Sequence, residues 1–287
     1  MIDPHDLPAL GVVLPRVTAA TVAAQAAEAE SAGAGAIWLT DHLFWHEPTI
    51  DVVTALPLAL AATERCIVGP GVLQLPLRAT AATAKSMAFL DALAPGRVVV
   101  GVGVGEHEAE YEAAGLADRY HRRGRLLDAA IDDLRAGWRR EGDLAMAPSR
   151  ALPIWVGGRS EPARRRAAVR GDGWFPHLCR PSWFAGQAAL LDQDLEVAGR
   201  AGAPFARAAV VAVSVDGVEP DVDPLGWLGS LYRLPPRVFG RVLVTGSPDE
   251  VATELHRFRE AGAHHVAAMV AGDRPAEHLA ALAPLLG

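Results

Sequence analysis

The sequence predicts an α/β protein built as a single (β/α)₈ barrel, and three observations lead there. The chain has 287 residues, enough for one barrel of about 250 residues or for two average domains. Short runs rich in valine and isoleucine alternate along its length with longer amphipathic segments rich in alanine and leucine. Repeated βα units of this kind favour a parallel sheet, because each crossover must bring the chain back to the same end. Finally, no linker-like stretch of serine, glycine or charged residues divides the chain, so residues 1–287 read as one domain.

Leu10–Leu14 is expected to be the first strand, Thr21–Ala32 a helix stopped by Gly33, and Ala36–Leu39 the second strand. A helix near Val52–Thr63, a short third strand at Ile67–Val68 and a long helix at Ala79–Leu93 follow. That helix ends at the turn Ala94–Pro95–Gly96, where proline cannot continue it. Arg97–Val104 carries the strongest strand signal, with valines at 98, 100, 102 and 104 in the period-2 alternation of a strand. Beyond it come a helix at Arg122–Arg139, a strand at Ile154–Val156, a helix at Pro162–Arg170 and a strand at Gly173–Phe175. Ser182–Ala201 reads as helix and Ala208–Val215 as strand. Asp216–Arg241 is rich in proline, glycine and tryptophan without a clean period, and reads as a short insertion before the last βα unit, placed to act as a lid. A helix at Pro248–Ala261, a strand at His265–Val270 and a helix at Ala276–Leu285 close the chain. Eight strands favour a closed barrel over an open doubly wound sheet.

Composition excludes several partners. Hydrophobic residues make up 51% of the chain and charged residues 21%, the balance of a soluble protein with a large core. A formal charge of −7 and a pI near 5.8 argue against nucleic acid, which demands a basic face. No apolar run of about 18 residues predicts a membrane span and no basic-then-apolar leader opens the chain, so a cytoplasmic location is expected. Cys66 and Cys179 lie far apart in sequence and read as two reduced, buried thiols, with a disulfide between them as the alternative. His46, His107 and His177 fall near predicted rim loops, but no pair has metal-ligand spacing, so no metal site is assigned.

Four segments carry candidate chemistry. Asp41 and His42 directly follow the second strand, at the C-terminal rim where barrel enzymes place their catalytic groups. The histidine there can move a proton near neutral pH while the carboxylate fixes its tautomer; a helix-capping Asp beside an exposed His is the plainer alternative. In Gly101-Val102-Gly103-Val104-Gly105-Glu106 the valines share one face and the glycines the other. The glycine face is expected to leave the barrel mouth clear for a flat ring lying against backbone, with Glu106 at the rim as a general base or substrate ligand. A barrel interior that merely needs small residues is the alternative. The pattern is not a G-x-G-x-x-G turn opening a helix, so it does not support a Rossmann-type site. Gly157-Gly158-Arg159-Ser160-Glu161 ends a strand and opens a helix, with Ser160 as N-cap. Its backbone N–H groups and helix dipole suit a phosphate, though an ordinary capped helix accounts for it equally well. Gly71-Val72-Leu73-Gln74-Leu75-Pro76-Leu77-Arg78 reads as an irregular bulge at the rim or as a plain strand-to-helix connection.

Taken in order, these pieces resemble the luciferase-like family, which includes bacterial luciferase and oxidoreductases that use FMN or the deazaflavin coenzyme F-420. The motifs are T-D-H after the second strand, G-V-L-Q-L-P-L-R after the third, L-D-A-L-A-P-G-R-V-V-V-G-V-G-V-G-E through the fourth, and P-I-W-V-G-G-R-S with R-G-D-G-W-F-P beyond. They span roughly Ile37 to Pro176, and G-S-P-D-E-V with A-G-A-H-H-V resembles the family's last βα unit. The resemblance implies a ring resting on a bulge in the third strand, with a non-prolyl cis peptide at Gly71–Val72. It implies cofactor contacts from Asp41, Gly71, Val72, Gln74, Gly103, Val104, Gly105, Gly157, Gly158, Arg159, Ser160 and Glu161, and proton transfer by His42 and Glu106. The D-H pair with G-V-G-x-G-E is closer to the F-420 branch than to luciferase itself. Lys85 is the only lysine and falls within a predicted helix, so the lysines that hold a substrate phosphate in the sugar-phosphate dehydrogenases of this group have no counterpart.

The expected function is therefore hydride transfer between C5 of F-420 and a small organic substrate. An FMN-dependent monooxygenase served by a partner flavin reductase, and a barrel that binds a flavin or deazaflavin without turnover, are the alternatives. The resemblance also implies a homodimer.

Overall fold

The structure is a computed structural model and describes residues 3–139, 148, 151–218 and 223–286. Its strands are β1 (Leu10–Leu14), β2 (Ala36–Leu39), β3 (Ile67–Pro70), β4 (Leu73–Gln74), β5 (Val100–Gly103), β6 (Ile154–Gly157), β7 (Gly173–Phe175), β8 (Ala206–Val215), β9 (Leu243–Gly246) and β10 (His265–Val270). The α-helices are α1 (Val22–Ser31), α2 (Val52–Ala61), α3 (Thr80–Leu93), α4 (Glu108–Ala113), α5 (Arg123–Trp138), α6 (Glu161–Arg170), α7 (Pro181–Val197), α8 (Pro224–Tyr232), α9 (Pro248–Glu260) and α10 (Pro275–Leu286). All strand pairings are parallel, in the order β3-β2-β1-β10-β8-β7-β6-β5-β4 with β9 on β8. A bridge between Val68 and Val98 joins β3 to the start of β5 and closes the barrel, with Val68 N–H donating to Arg97 O at 2.7 Å. β3 and β4 are one barrel strand interrupted by a bulge, and the Gly71–Val72 peptide within it is cis.

The predicted strands and helices recur within a few residues of their expected limits. Three elements are additional. α4 lies in the loop after Glu106, where a run of glutamates hides any apolar period. The region read as an irregular insertion contains α8, whose start is fixed by Asp223 accepting from Leu225 N–H and Gly226 N–H. It also leads into β9, which pairs with Ala212–Val215 of β8; residues 219–222 of that insertion lie outside the described residues.

Side chains divide cleanly between two apolar layers. Val12, Leu14, Ile37, Leu39, Val100, Val102, Val211 and Val213 pack outward under the helices. Val13, Trp38, Val99, Trp155, Phe175, Val210 and Met269 fill the barrel. Trp38, Trp155 and Phe175 form an aromatic core with ring centroids 4.7–5.7 Å apart. Such bulk fits because neighbouring strands place glycine opposite it: a Cβ on Gly173 would meet Trp155 Cδ1 at 2.6 Å. The floor of the barrel is completed by the fully buried His265. Its Nε2 accepts from Trp38 Nε1 at 3.0 Å and its Nδ1 donates to Pro8 O at 2.6 Å. Among the described residues, no helix is long and apolar enough to cross a membrane.

Candidate functional site

The C-terminal ends of β2, β4 and β5 meet in a polar network. His42 Nδ1 lies 3.0 Å from Glu110 Oε2. A carboxylate only accepts, so Nδ1 carries the proton and the lone pair falls on Nε2, which has no partner among the described residues. Glu110 sits on α4 with its side chain 0% exposed, against 24% for His42. It also accepts from Leu43 N–H at 2.7 Å, Phe44 N–H at 3.1 Å and the Gln74 amide at 3.2 Å. Burial alone would raise its carboxyl; the bonds from His42, Phe44 and Gln74 outweigh this and hold it below the usual carboxylate range. The indole of Trp45 stacks on His42 at 4.0 Å between centroids, fixing the ring plane.

Asp41 is buried beneath this pair. Its carboxylate takes a two-pronged contact from Arg78 (2.6 and 3.2 Å) and the Gln74 N–H at 2.8 Å, while Arg78 also reaches Asp51 at 2.7 Å. Asp51, not Asp41, caps α2, accepting from Thr54 N–H at 3.0 Å. The Gln74 amide nitrogen donates to Asp41 O at 2.6 Å, and turning the amide over would set its oxygen against that carbonyl and Glu110. Gln74 Oε1 is therefore left buried without a partner, pressed against Gly105, whose positive φ of 71° suits glycine alone.

The glycine face of β5 requires one correction. It was expected to leave the mouth empty, but the Val72 side chain, projected inward by the bulge, occupies that space. A Cβ at Gly103 would meet Val72 Cγ2 at 2.5 Å, and one at Gly157 would meet Val72 Cγ1 at 3.0 Å. One at Gly101 would strike the Pro70 carbonyl oxygen. The glycines thus make room for a valine, and the half-buried Val72 is the surface the mouth presents. Val104 O accepts from Tyr111 Oη, and Glu106 stands exposed at the rim.

Past β6, Ser160 caps α6 by accepting from Ala163 N–H at 3.3 Å. Trp174 Nε1 donates to Gly158 O at 3.0 Å, and Arg159 donates to Leu178 O at 2.8 Å. Glu161 pairs with Arg165 at 2.8 Å, whereas Arg164 and Arg166 tie α6 to Asp194 and Asp128. The Gly157–Ser160 turn is thus braced from behind, with Arg159, Ser160 and Glu161 exposed. Sequence reasoning missed Glu110 because Glu106, Glu108, Glu110 and Glu112 alternate, and nothing local marks the one that turns inward.

A family model for luciferase-like monooxygenases matches residues 8–224 of the 287. The chain belongs to the luciferase-like family. An uncharacterised protein of Mycobacterium tuberculosis is 30% identical over 190 residues, 61% of this chain and 63% of its own length. The chain thus spans less than two thirds of that relative. An F420-dependent glucose-6-phosphate dehydrogenase of Kineococcus radiotolerans is 25% identical over 285 residues, covering 84% of each chain. Among solved structures, an F420-dependent secondary alcohol dehydrogenase in complex with an F420-acetone adduct superposes with a TM-score of 0.83. It is 21% identical and covers 98% of this chain and 99% of that one, a likeness of fold over nearly the whole length.

Proposed function

We propose that this protein is an F-420-dependent oxidoreductase acting on a small organic substrate. The observation that carries the reading is the Val72 shelf, an apolar side chain laid over Gly103 and Gly157 at the same end of the barrel as the open Nε2 of His42. The residues present fit a deazaflavin: a flat apolar bed at Val72, a buried unpartnered acceptor at Gln74 Oε1, and a braced helix N-terminus at Gly157–Ser160 for a phosphate-bearing tail. Gly71, Gly103, Val104 and Gly105 would supply backbone around the ring, and Arg159 charge near the tail. Asp41 acts from below, holding Gln74 and Arg78 in place. When bound, the cofactor supplies a carbon that exchanges a hydride with the substrate.

The chain's own task is the proton. His42 takes or returns the substrate proton at Nε2, and Glu110 holds the tautomer that leaves this nitrogen basic. Glu106, exposed at the same rim, serves as the second proton-transfer group. Trp45 and α8 screen the mouth from water: Trp45 Nε1 donates to Leu231 O at 3.2 Å and His46 Nε2 lies 3.0 Å from Ser230 O. Titration with F-420 and with FMN, followed by the cofactors' fluorescence, tests the assignment. Tight F-420 binding is expected; tight FMN binding with no response to F-420 would overturn it.

A homodimer through α2 and α3 accompanies this reading. Leu58, Phe89 and Leu93 are 44%, 61% and 45% exposed on these adjoining helices, an apolar surface of the kind that marks interfaces. Light scattering should give twice the 30.2 kDa chain mass for the wild type and the monomer for Phe89→Glu; a monomeric wild type would sink the dimer.

A further inference from the structure

α8 crosses the mouth and delivers Tyr232, its last residue, to the end of β7. Tyr232 Oη lies 2.5 Å from His177 Nε2 and 3.4 Å from Met269 Sδ in the barrel wall. Both residues are half-buried. His177 Nδ1 has no hydrogen-bond partner among the described residues, and it is not one of the enclosed polar atoms. Like His42 Nε2, it is a ring nitrogen with its valence open at the mouth.

The pair is uncharged in ordinary buffers. Burial, with the Arg159 charge nearby, pulls His177 down to about 4. Burial and the neighbouring Glu106 carboxylate push the Tyr232 phenol above its usual value. Two cations at the mouth are already paired with carboxylates, and a third, Arg159, donates to Leu178 O on the side assigned above to the cofactor's tail. Arg78 is held by Asp41 and Asp51. Arg16 is held by Glu47 and Ser230, with its guanidinium 4.7 Å over the Trp227 ring.

We propose that His177 Nδ1, set by Tyr232, hydrogen-bonds an uncharged oxygen of the substrate, and that the substrate class is a neutral alcohol or ketone, not a phosphate ester or carboxylate. The inference rests on the F-420 reading above and adds the substrate class and the residue pair that recognises it. Two tautomers make the pair fit both members of an alcohol–ketone couple. With Tyr232 donating to Nε2, the proton sits on Nδ1, which donates to a carbonyl. With Nε2–H donating to Tyr232 and the phenol turned to Met269, Nδ1 accepts from a hydroxyl. An anionic substrate would instead meet the Glu106 carboxylate, with Arg16 and Arg78 already paired and Arg159 committed to the cofactor's tail.

The test combines steady-state kinetics of the F-420-loaded protein with saturation-transfer NMR of cyclohexanone on the protein alone. Cyclohexanol, glucose 6-phosphate and lactate are the kinetic probes. Cyclohexanol should be the preferred substrate. Tyr232→Phe should raise its KM about tenfold, the equivalent of about 1.4 kcal/mol, with kcat and F-420 affinity within about twofold. His177→Asn, which keeps a donor and an acceptor, should stay nearer the wild type than His177→Ala, and the NMR signal should weaken in the same order. Preference for glucose 6-phosphate or lactate, or no turnover of cyclohexanol by F-420-loaded protein, would overturn the proposal. So would a Tyr232→Phe effect confined to F-420 affinity. A protein that fails to bind F-420 sinks the underlying reading alone, because the NMR arm needs no cofactor and still decides whether the pair holds a neutral oxygen compound.

Discussion

The two ends of the barrel use the same residue type in opposite ways. At the floor, His265 has both ring nitrogens bonded, to Trp38 and to Pro8, and Gly11 leaves room for its ring, since a Cβ there would meet His265 Cε1 at 2.6 Å. At the mouth, His42 and His177 each have one nitrogen bonded within the fold, to Glu110 and Tyr232, and the other open. Burial of the ring is not what separates these histidines. The number of ring nitrogens that the fold leaves unsatisfied is.

The largest effect expected from breaking this contrast is at the floor. His265→Leu strands a buried indole N–H and a buried carbonyl, and should cost about 4 kcal/mol of stability, read from urea unfolding. A variant as stable as the wild type would dissolve the distinction. At the mouth the effect should move from stability to turnover. His42→Gln can still donate to Glu110 but cannot take a proton, so F-420-linked turnover of cyclohexanol should fall about a thousandfold while the unfolding midpoint stays near the wild-type value. Glu110→Gln should fall between the two.

Acid sharpens the same comparison. Burial holds His265 at about 4, against an ordinary value of 6.5. The unfolded chain therefore takes up a proton before the folded one does. Stability from this residue is fully present above pH 6.5 and is lost as pH falls toward 4, by about 3 kcal/mol. His177, held at about 4 as well, adds to that limb. Urea midpoints measured across this range should decline in the wild type and flatten in His265→Leu; a slope unchanged by the substitution would contradict the assignment. The smallest effect concerns the shelf. Gly103→Ala should weaken F-420 binding about tenfold by displacing Val72, and Val72→Ala in the same chain should recover part of it. Strictly additive losses would show that the two do not share one space.

Much of this was legible in the sequence, because period-2 valines and alanine-rich helices report the layer each residue faces. The alternation at Val98–Val104 assigned the outward face of β5 correctly. What occupies the inward face was not legible, since Val72 reaches it only through a bulge thirty residues upstream. Asp41, His42 and Gln74 were marked by their place after strands. Glu110 and Tyr232 were not, because their roles depend on where α4 and α8 settle over the mouth, a long-range matter that local periodicity does not record. The Gly157–Ser160 turn was visible as a helix start, yet its bracing by Trp174 and Arg159 arises only when β6 and β7 align.

The attachment of α8 has a consequence for how this fold diversifies. Trp45 and His46 grip the helix through the carbonyls of Leu231 and Ser230, groups that every amino acid possesses. Side chains on that segment are therefore free to change by mutation while these two anchors persist. A library randomised at Tyr232 and its neighbours should explore new substrates on a scaffold whose His42–Glu110 pair is untouched.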